Sequence, residues 1–173
     1  MRVIAFSCVH LMTRALQTNI YEYEQPLDYE PFHKLLSLIL ADPPDAVVNL
    51  GDFTETYWGD TFTLPVDYVR LMASKKTKLI KIAGNHDPAD GYSAEMVDRL
   101  RYEHGHKLVP NMPGADSSTD GYTQRLRENT AGMRLVHGHS HVPTEAWPLD
   151  VGSATFSQTY GEIIDGVPNL RRL

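Results

Sequence analysis

The sequence lacks several features that would assign it to a specialised class of protein. A single cysteine excludes an internal disulfide and is typical of a reducing compartment, so we expect a cytoplasmic protein. No apolar run approaches the roughly 20 residues of a membrane-spanning helix, so we expect no membrane partner. Basic residues are not in excess: the net charge is −6, which disfavours a broad groove for nucleic acid.

The remaining composition is that of an ordinary globular domain with one exception. The chain of 173 residues is long enough for a sizeable core, and we predict a single domain over residues 1–173. It enters a predicted strand at Arg2, so we expect no signal peptide. The exception is histidine, with eight residues in the chain, six of them between His86 and His141.

The first half of the chain predicts a parallel sheet. Apolar runs over 2–6, 46–50 and 78–83 are typical of strands buried on both faces. Helical spacing of apolar residues predicts helices over 26–41 and from 65 to about 73. The resulting β-α-β-α-β order implies parallel strands joined by crossover helices.

The second half is less regular. Residues 94–101 predict a short helix, and a strand is expected to begin at Arg101. Residues 110–121, which are rich in Pro, Gly, Ser and Asp, predict a mobile loop of a length that suggests a lid. A helix over 122–129 and a strand over 133–136 follow.

The tail predicts further strands. Residues 149–153 and 156–164 are expected to form a second layer, closed by a turn at Asp165-Gly166.

Polar side chains follow three of the predicted strands. Gly84 ends the third strand and allows a sharp turn. Behind it, Asn85 offers a hard amide oxygen for a divalent metal, His86 a proton donor near neutral pH, and Asp87 a carboxylate that can fix the imidazole tautomer. A polar turn with a helix cap would explain the same residues.

The same arrangement recurs at the other strand ends. Gly51-Asp52 follows the second strand, and Cys8 and His10 follow the first with the spacing that places both on one side of an extended chain. A small buried cysteine with a loop histidine is the alternative. The aromatic residues of the 53–64 loop could stack on a substrate or cover the sheet; they are Tyr57, Trp58 and Phe62.

Together the predicted strand ends supply more ligands than one closed tetrahedral site can use. The set suits two divalent ions that share a carboxylate, lie about 3.5–4 Å apart and clamp the attacking and leaving oxygens of an in-line displacement. The candidate ligands are Cys8, His10, Asp52, Asn85, His104 or His106, His139 and His141.

In order and placement, these motifs resemble those of the calcineurin-like metallophosphoesterases. The family pattern is Asp-x-His, Gly-Asp, Gly-Asn-His-Asp/Glu, a lone His and Gly-His-x-His. Here it reads Cys8-Val9-His10, Gly51-Asp52, Gly84-Asn85-His86-Asp87, His104-Gly105 and Gly138-His139-Ser140-His141, and Gly152-Ser153 looks like the family's closing Gly-Ser. The resemblance implies an α/β fold, a four-layer α-β-β-α sandwich with mixed parallel and antiparallel sheets.

The resemblance also implies a role for each matched residue. His10 and His141 would hold a first metal, and Asp52 would bridge to a second. Asn85, His139 and the lone histidine would hold the second metal; His104 is the first choice for the lone histidine, with His106 and His137 as alternatives. His86 would face the phosphate and stabilise or protonate the leaving oxygen, with Asp87 orienting it.

The implied function is hydrolysis of phosphate mono- or diesters by a metal-activated hydroxide. The cofactors would be two divalent ions, such as Mn, Zn, Fe, Ni, Co or Mg, and the partner a small phosphoester or a nucleotide. A nuclease or nucleotide pyrophosphatase on the same site is one alternative, although long nucleic acids are not favoured by the charge.

A non-catalytic binding or scaffold protein is the other alternative. Cys8 stands where the family has Asp, which could leave the first metal site degraded. A thiolate at this position would favour zinc over manganese or magnesium.

Overall fold

The computed structural model describes residues 1–12, 27–55, 62–87, 93–109 and 120–173. The strands are β1 (Arg2–Phe6), β2 (Ala46–Asn49), β3 (Lys78–Lys81), β4 (Ala94–Val97), β5 (Leu100–Glu103), β6 (Leu135–His137), β7 (Leu149–Asp150), β8 (Thr159–Ile164) and β9 (Val167–Arg172). The helices are α1 (Glu30–Ala41), α2 (Val66–Met72) and α3 (Asp120–Asn129).

The first sheet has the order β3-β2-β1-β8-β9. Strands β1, β2 and β3 are parallel, with Ile4 opposite Val47 and Val47 opposite Leu79, which confirms the predicted β-α-β-α-β half. The prediction that residues 156–164 belong to a second layer with residues 149–153 is wrong, because β8 lies in the first sheet and β7 in the second. The strand β9 was not predicted. β8 pairs antiparallel to β1, its alternate residues, such as Ile163, face the core, and the predicted turn at Asp165-Gly166 joins it to β9.

The second sheet has the order β4-β5-β6-β7 and corrects the predicted helix over 94–101. That segment is a β4-β5 hairpin whose turn, Asp98-Arg99, has positive φ at both residues. Residues such as Glu95 and Met96 favour helices, but Tyr102 is fully buried and pairs with β6. Burial in a sheet therefore overrides local helix propensity here.

The two sheets pack face to face. Their shared core contains Ala5 and Val48 from the first sheet and Tyr102 and Val136 from the second. Helices α1 and α2 cover the other face of the first sheet through a second apolar cluster, and Leu126 of α3 packs with Val109 in a third. The predicted α/β class with two mixed sheets is confirmed.

Several expectations concern parts of the chain that the structure does not describe. Tyr57 and Trp58 lie outside the described residues, as does the predicted lid up to residue 119. Phe62 is described and is exposed. None of the described helices is long and apolar enough to cross a membrane.

Candidate metal centre

The predicted motif loops converge at one edge of the two sheets. The chain beyond β1 continues to pair with the chain beyond β2: the Cys8 amide donates to the Gly51 carbonyl at 3.0 Å, and the His10 amide donates to the Asp52 carbonyl at 3.0 Å. In the second sheet, the His139 amide donates to the His104 carbonyl at 3.1 Å. These backbone hydrogen bonds fix the positions of most of the candidate ligands without the help of a bound ion.

Two glycines allow these loops to touch. A Cβ atom on Gly84 would lie 2.0 Å from Asp52 Oδ1, so only glycine fits beside this carboxylate. A Cβ atom on Gly138 would lie 2.3 Å from the Cβ of Ser7, where the loop of the second sheet meets the first. The motif glycines are thus required for close approach of the backbone.

Four candidate ligands have left-handed backbone conformations. The φ angles are 53° at Cys8, 52° at His10, 50° at Asp52 and 57° at His141. Each costs a non-glycine residue on the order of 1–2 kcal/mol. Strain of this kind concentrates at functional sites, where the surrounding structure holds side chains in unusual directions.

His104 and Asp52 form the pair that best indicates a cation site. His104 Nδ1 lies 2.9 Å from the carbonyl oxygen of Leu50, and since a carbonyl only accepts, Nδ1 carries a proton. The other ring nitrogen, Nε2, lies 2.9 Å from Asp52 Oδ2, and both groups are almost fully buried. A lone pair facing a carboxylate at this distance needs a proton or a metal ion between them. Two atoms bound at right angles to one ion, at about 2.1 Å each, would also lie about 3 Å apart.

The electrostatics of Asp52 agree with a cation-binding role. Burial is the largest single influence and would raise the pKa of Asp52, but the charge of His104 and hydrogen bonds from His104 and His139 outweigh it. The net result is a pKa well below the ordinary value, so this carboxylate is anionic at neutral pH. His139 Nδ1 lies 4.0 Å from the same oxygen, Oδ2, and 3.0 Å from His104 Nε2.

Cys8 lies between two groups of candidate ligands. Its Sγ atom is grouped within 4.8 Å with His10 and His141, and separately with Asp52 and His104. Sγ donates to the carbonyl oxygen of Gly138 at 3.3 Å. Burial, followed by the nearby charge of Asp52, raises the pKa of the thiol well above its ordinary value, so it is protonated at neutral pH unless a cation is bound.

The late histidines are suited to binding metal. Burial lowers the pKa of His139 to about 4, and burial followed by the charge of His10 lowers that of His141 well below its ordinary value. Both rings are therefore neutral at pH 7, as a metal ligand must be.

The two alternatives to His104 lie differently. His106 stands next to His104, with ring centroids 5.3 Å apart, and its buried Nδ1 has no hydrogen-bond partner among the described residues. Burial lowers the pKa of His106 to about 4. His137 Nδ1 instead faces Asp150 Oδ2 at 3.4 Å. Of the three, His104 is the one that contacts the Asp52 carboxylate.

Glu55 is a component that the sequence analysis missed. Its buried carboxylate lies 2.7 Å from His10 Nδ1 through Oε2 and 2.5 Å from His86 Nδ1 through Oε1. Burial would raise the pKa of Glu55, but the hydrogen bonds to His10 and His86 lower it overall. Its position three residues after Asp52 was the only signal in the sequence. The Leu11–Thr54 bridge, which carries Glu55 inward, is visible only in three dimensions.

Asp87 does not have the contact that was predicted for it. Its Oδ1 accepts the amides of Phe53 at 3.0 Å and Thr54 at 2.9 Å, and its Oδ2 accepts the amide of Gly84 at 2.9 Å. Because its oxygens bind backbone amides, Asp87 joins the two motif loops, and Glu55 is the carboxylate that contacts the His86 ring. The amide of His86 donates to Asp52 Oδ1 at 2.9 Å.

Asn85 is the predicted ligand that the structure does not bring into the buried cluster. It lies exposed on the turn between Gly84 and His86. The neighbouring backbone explains this placement, since the 84–87 turn directs the His86 amide and the Asp87 carboxylate inward.

The donor set therefore fits divalent cations: two buried carboxylates, several histidines and one thiol, drawn from both sheets. Cys8, His10 and His141 form one group, and Cys8, Asp52 and His104 form another. A third group joins His10, Glu55 and His86.

The two mixed sheets thus meet at an edge lined by histidines and carboxylates. The family model of the calcineurin-like phosphoesterases matches residues 1–145, and the protein belongs to this family.

Solved structures share the fold. YfcE, a phosphoesterase from E. coli, aligns with 19% identity and a TM-score of 0.53, covering 95% of this chain and 88% of that one. An archaeal phosphodiesterase aligns with 14% identity and a TM-score of 0.53, covering 100% of both chains. At these identities the likeness shows the fold alone. The search of curated proteins gives no significant match.

Proposed function

We propose that this protein hydrolyses phosphate mono- or diesters at a centre that holds two divalent ions. The main support is the contact between His104 Nε2 and Asp52 Oδ2 at 2.9 Å. The Cys8 thiol is grouped with both residues, and His139 Nδ1 lies 3.0 Å from His104 Nε2. Asp52 would bridge the ions, as the family resemblance implies. His10 and His141 would hold one ion, and His104 and His139 the other, with Asn85 turning inward to join the second.

The chain's own residues would carry the proton transfer. When bound, the ions would supply a water of lowered pKa and neutralise the phosphate oxygens. The attacking water would lose one proton to solvent, its oxygen would bond to phosphorus as the bond to the ester oxygen breaks, and His86 would donate a proton to that leaving oxygen. Glu55 holds His86 Nδ1, which directs Nε2 toward the leaving group.

Membership of the family supports a hydrolase, and the geometry supports small substrates. The site is built from buried side chains rather than from a basic surface, and the net charge of −6 repels polyanions. A small phosphoester or a nucleotide is therefore the proposed partner, in preference to long nucleic acid.

The test is a panel of aryl and alkyl phosphate mono- and diesters with Mn²⁺, Zn²⁺, Ni²⁺, Co²⁺ or Mg²⁺. We expect turnover on at least one ester, abolished in Asp52→Asn because a neutral amide cannot balance two ions. Asp42→Asn, an exposed carboxylate at the end of α1, is the matched control and should be unchanged. Turnover of dinucleotide pyrophosphates or oligonucleotides alone would instead favour the nuclease or pyrophosphatase alternative.

Cys8 favours one further candidate, a non-catalytic binding or scaffold protein. A buried neutral thiol carries no negative charge, unlike the carboxylate of the family pattern. The first site would therefore bind its ion more weakly. Metal binding without turnover of any ester by the wild-type protein would select this candidate.

A further inference from the structure

A buried aspartate holds the turn that carries two of the candidate ligands. Ser140 lies between His139 and His141, and its hydroxyl donates to Asp150 Oδ2. The same hydroxyl oxygen accepts the Val142 amide at 3.1 Å, and both Ser140 and Asp150 are buried. A second acceptor, the Val142 carbonyl, lies 3.4 Å away, at the long limit of a hydrogen bond. The hydroxyl therefore connects the turn to the carboxyl group of Asp150.

Asp150 is itself fixed on several sides. It belongs to β7 and pairs in register with His137 of β6. Its other carboxyl oxygen, Oδ1, accepts the Gly152 amide at 2.8 Å. Its backbone is bonded to Thr144, because its amide donates to Thr144 Oγ1 at 3.1 Å and its carbonyl accepts the Thr144 amide at 2.9 Å. The carboxyl group that reaches Ser140 therefore has a direction set by the sheet.

The backbone holds the two halves of the turn unequally. The His139 amide donates to the His104 carbonyl at 3.1 Å, which ties this half to the neighbouring strand end. The His141 amide donates to the Gly138 carbonyl at 3.4 Å, a longer bond, and His141 has a left-handed φ of 57°. A conformation of this kind persists only where the surrounding structure holds it. The Ser140 side chain supplies such support directly before His141.

We propose that Asp150 is a positioning residue of the metal centre, which acts through the Ser140 hydroxyl to hold His139 and His141 in the directions that the ions require. The inference rests on the proposed function, since the two histidines are ligands only if the centre binds ions. Partners of this kind fix the direction of a ligand before the ion arrives, and their loss costs about 10- to 100-fold in metal affinity. Asp150 differs from the usual case because it contacts the turn between two ligands instead of a ligand ring.

A purely structural role for Asp150 makes a different prediction. Its Oδ2 also faces His137 Nδ1 at 3.4 Å, and its Oδ1 binds the Gly152 amide, so the carboxyl group could serve only the packing of β6 and β7. In that case, loss of the Ser140 hydroxyl should lower stability without changing ion affinity. The effects of the two residues should then also add.

A double-mutant cycle separates the two roles. In calorimetric titration with Mn²⁺, we expect Ser140→Ala and Asp150→Ala each to weaken binding by about 10- to 100-fold. The double variant should bind no more weakly than either single variant, because Asp150 acts through Ser140. The visible spectrum of the Co²⁺-loaded protein, which reports the number and arrangement of the ion's ligands, should change in the same way in all three. Melting temperatures of the metal-free proteins measure the loss of stability separately.

Two further variants act as controls. Asp150→Asn should keep most of the affinity, because an amide can bond to the Ser140 hydroxyl as acceptor or as donor. Thr77→Ala removes another buried hydroxyl, which donates to the Pro44 carbonyl at 2.9 Å at the start of β3, opposite the strand ends that carry the motif loops. It should lower the melting temperature and leave the ion affinity and the Co²⁺ spectrum unchanged. Should Asp150→Ala not fold, loss in Ser140→Ala and retention in Asp150→Asn remain the expected pair.

Unchanged ion affinity in Ser140→Ala, additive losses in the double variant, or an equal loss in Thr77→Ala would overturn the assignment. Hydrolysis distinguishes this inference from the proposed function. Ion binding that depends on Ser140, without turnover of any ester, would keep the positioning role and reject the hydrolase. Turnover with an ion affinity indifferent to Ser140 would do the reverse, and a wild type that binds neither Mn²⁺ nor Co²⁺ would overturn both.

Discussion

Single residues decide which protons and charges the centre contains. His104 has one ring nitrogen on the Leu50 carbonyl and the other on Asp52, so its tautomer and direction are fixed by the fold. Glu55 fixes His10 and His86 in the same way. At Cys8, a buried thiol occupies the position of a carboxylate in the family pattern.

We expect Cys8→Asp to raise Mn²⁺-dependent turnover. A carboxylate supplies a hard anionic oxygen where the thiol is soft and protonated, and Asp tolerates the left-handed φ of 53°. Cys8→Ser is the control, because its hydroxyl is neutral, and it should not raise turnover. Activity titrated against Mn²⁺ provides the measurement; indistinguishable curves for all three proteins would show that residue 8 does not contact metal.

We expect Glu55→Gln to lower kcat by about 10- to 100-fold, the usual effect of losing a carboxylate that orients a functional histidine. The pH dependence should change as well, because the wild-type carboxylate has a lowered pKa and stays charged down to acidic pH. Loss of that charge should lower the pKa of the acidic group that protonates the leaving oxygen, which moves the alkaline limb of the kcat profile to lower pH.

Asp87→Asn is the comparison for Glu55→Gln. Because Asp87 accepts backbone amides, its replacement should lower the melting temperature and leave the kcat profile in place. A shifted profile in Asp87→Asn together with an unshifted one in Glu55→Gln would restore Asp87 as the orienting residue.

Elements whose local pattern and tertiary environment agree were predictable from the sequence. The apolar runs of β1 and β2 are buried on both faces, and a run of that kind forms few other structures. β3 lies at the edge of the sheet and exposes Lys78 and Lys81, but Ile80 between them is buried. The β4-β5 hairpin was not predictable in this way, since its exposed residues favour helix and its buried ones become recognisable only opposite β6. Likewise, Asp52 and the late histidines were identified by their positions at strand ends, whereas Glu55 reaches the site through a loop path with no periodic signal.

We expect Arg99→Gly to stabilise the protein by up to about 1 kcal/mol. Asp98 and Arg99 have φ angles of 48° and 65°, the pattern of a type I′ turn, in which the second central position favours glycine. Relief of the left-handed strain exceeds the entropy that glycine adds to the unfolded chain. Urea denaturation provides the measurement, and a lower midpoint for Arg99→Gly would contradict the turn assignment.

At the scale of the whole molecule, the centre exists only where the two sheets meet. The first sheet contributes Cys8, His10 and Asp52, and the second contributes His104 and the 138–141 loop, which packs on Ser7 through Gly138. A site divided in this way would couple metal binding to folding, since the candidate ligands are assembled only in the native state. Bound ions should therefore raise the melting temperature in a concentration-dependent manner.

Metal stoichiometry is the most direct test of the two-ion centre. Calorimetric titration of chelator-treated protein with Mn²⁺, checked by elemental analysis, should give two ions per chain, and Asp52→Asn should lose both or bind them far more weakly because the carboxylate they share is gone. Two ions in the wild type and their loss in Asp52→Asn are the predicted result. A wild-type protein that binds no ion or only one, or an Asp52→Asn variant that binds two ions with unchanged affinity, would contradict it.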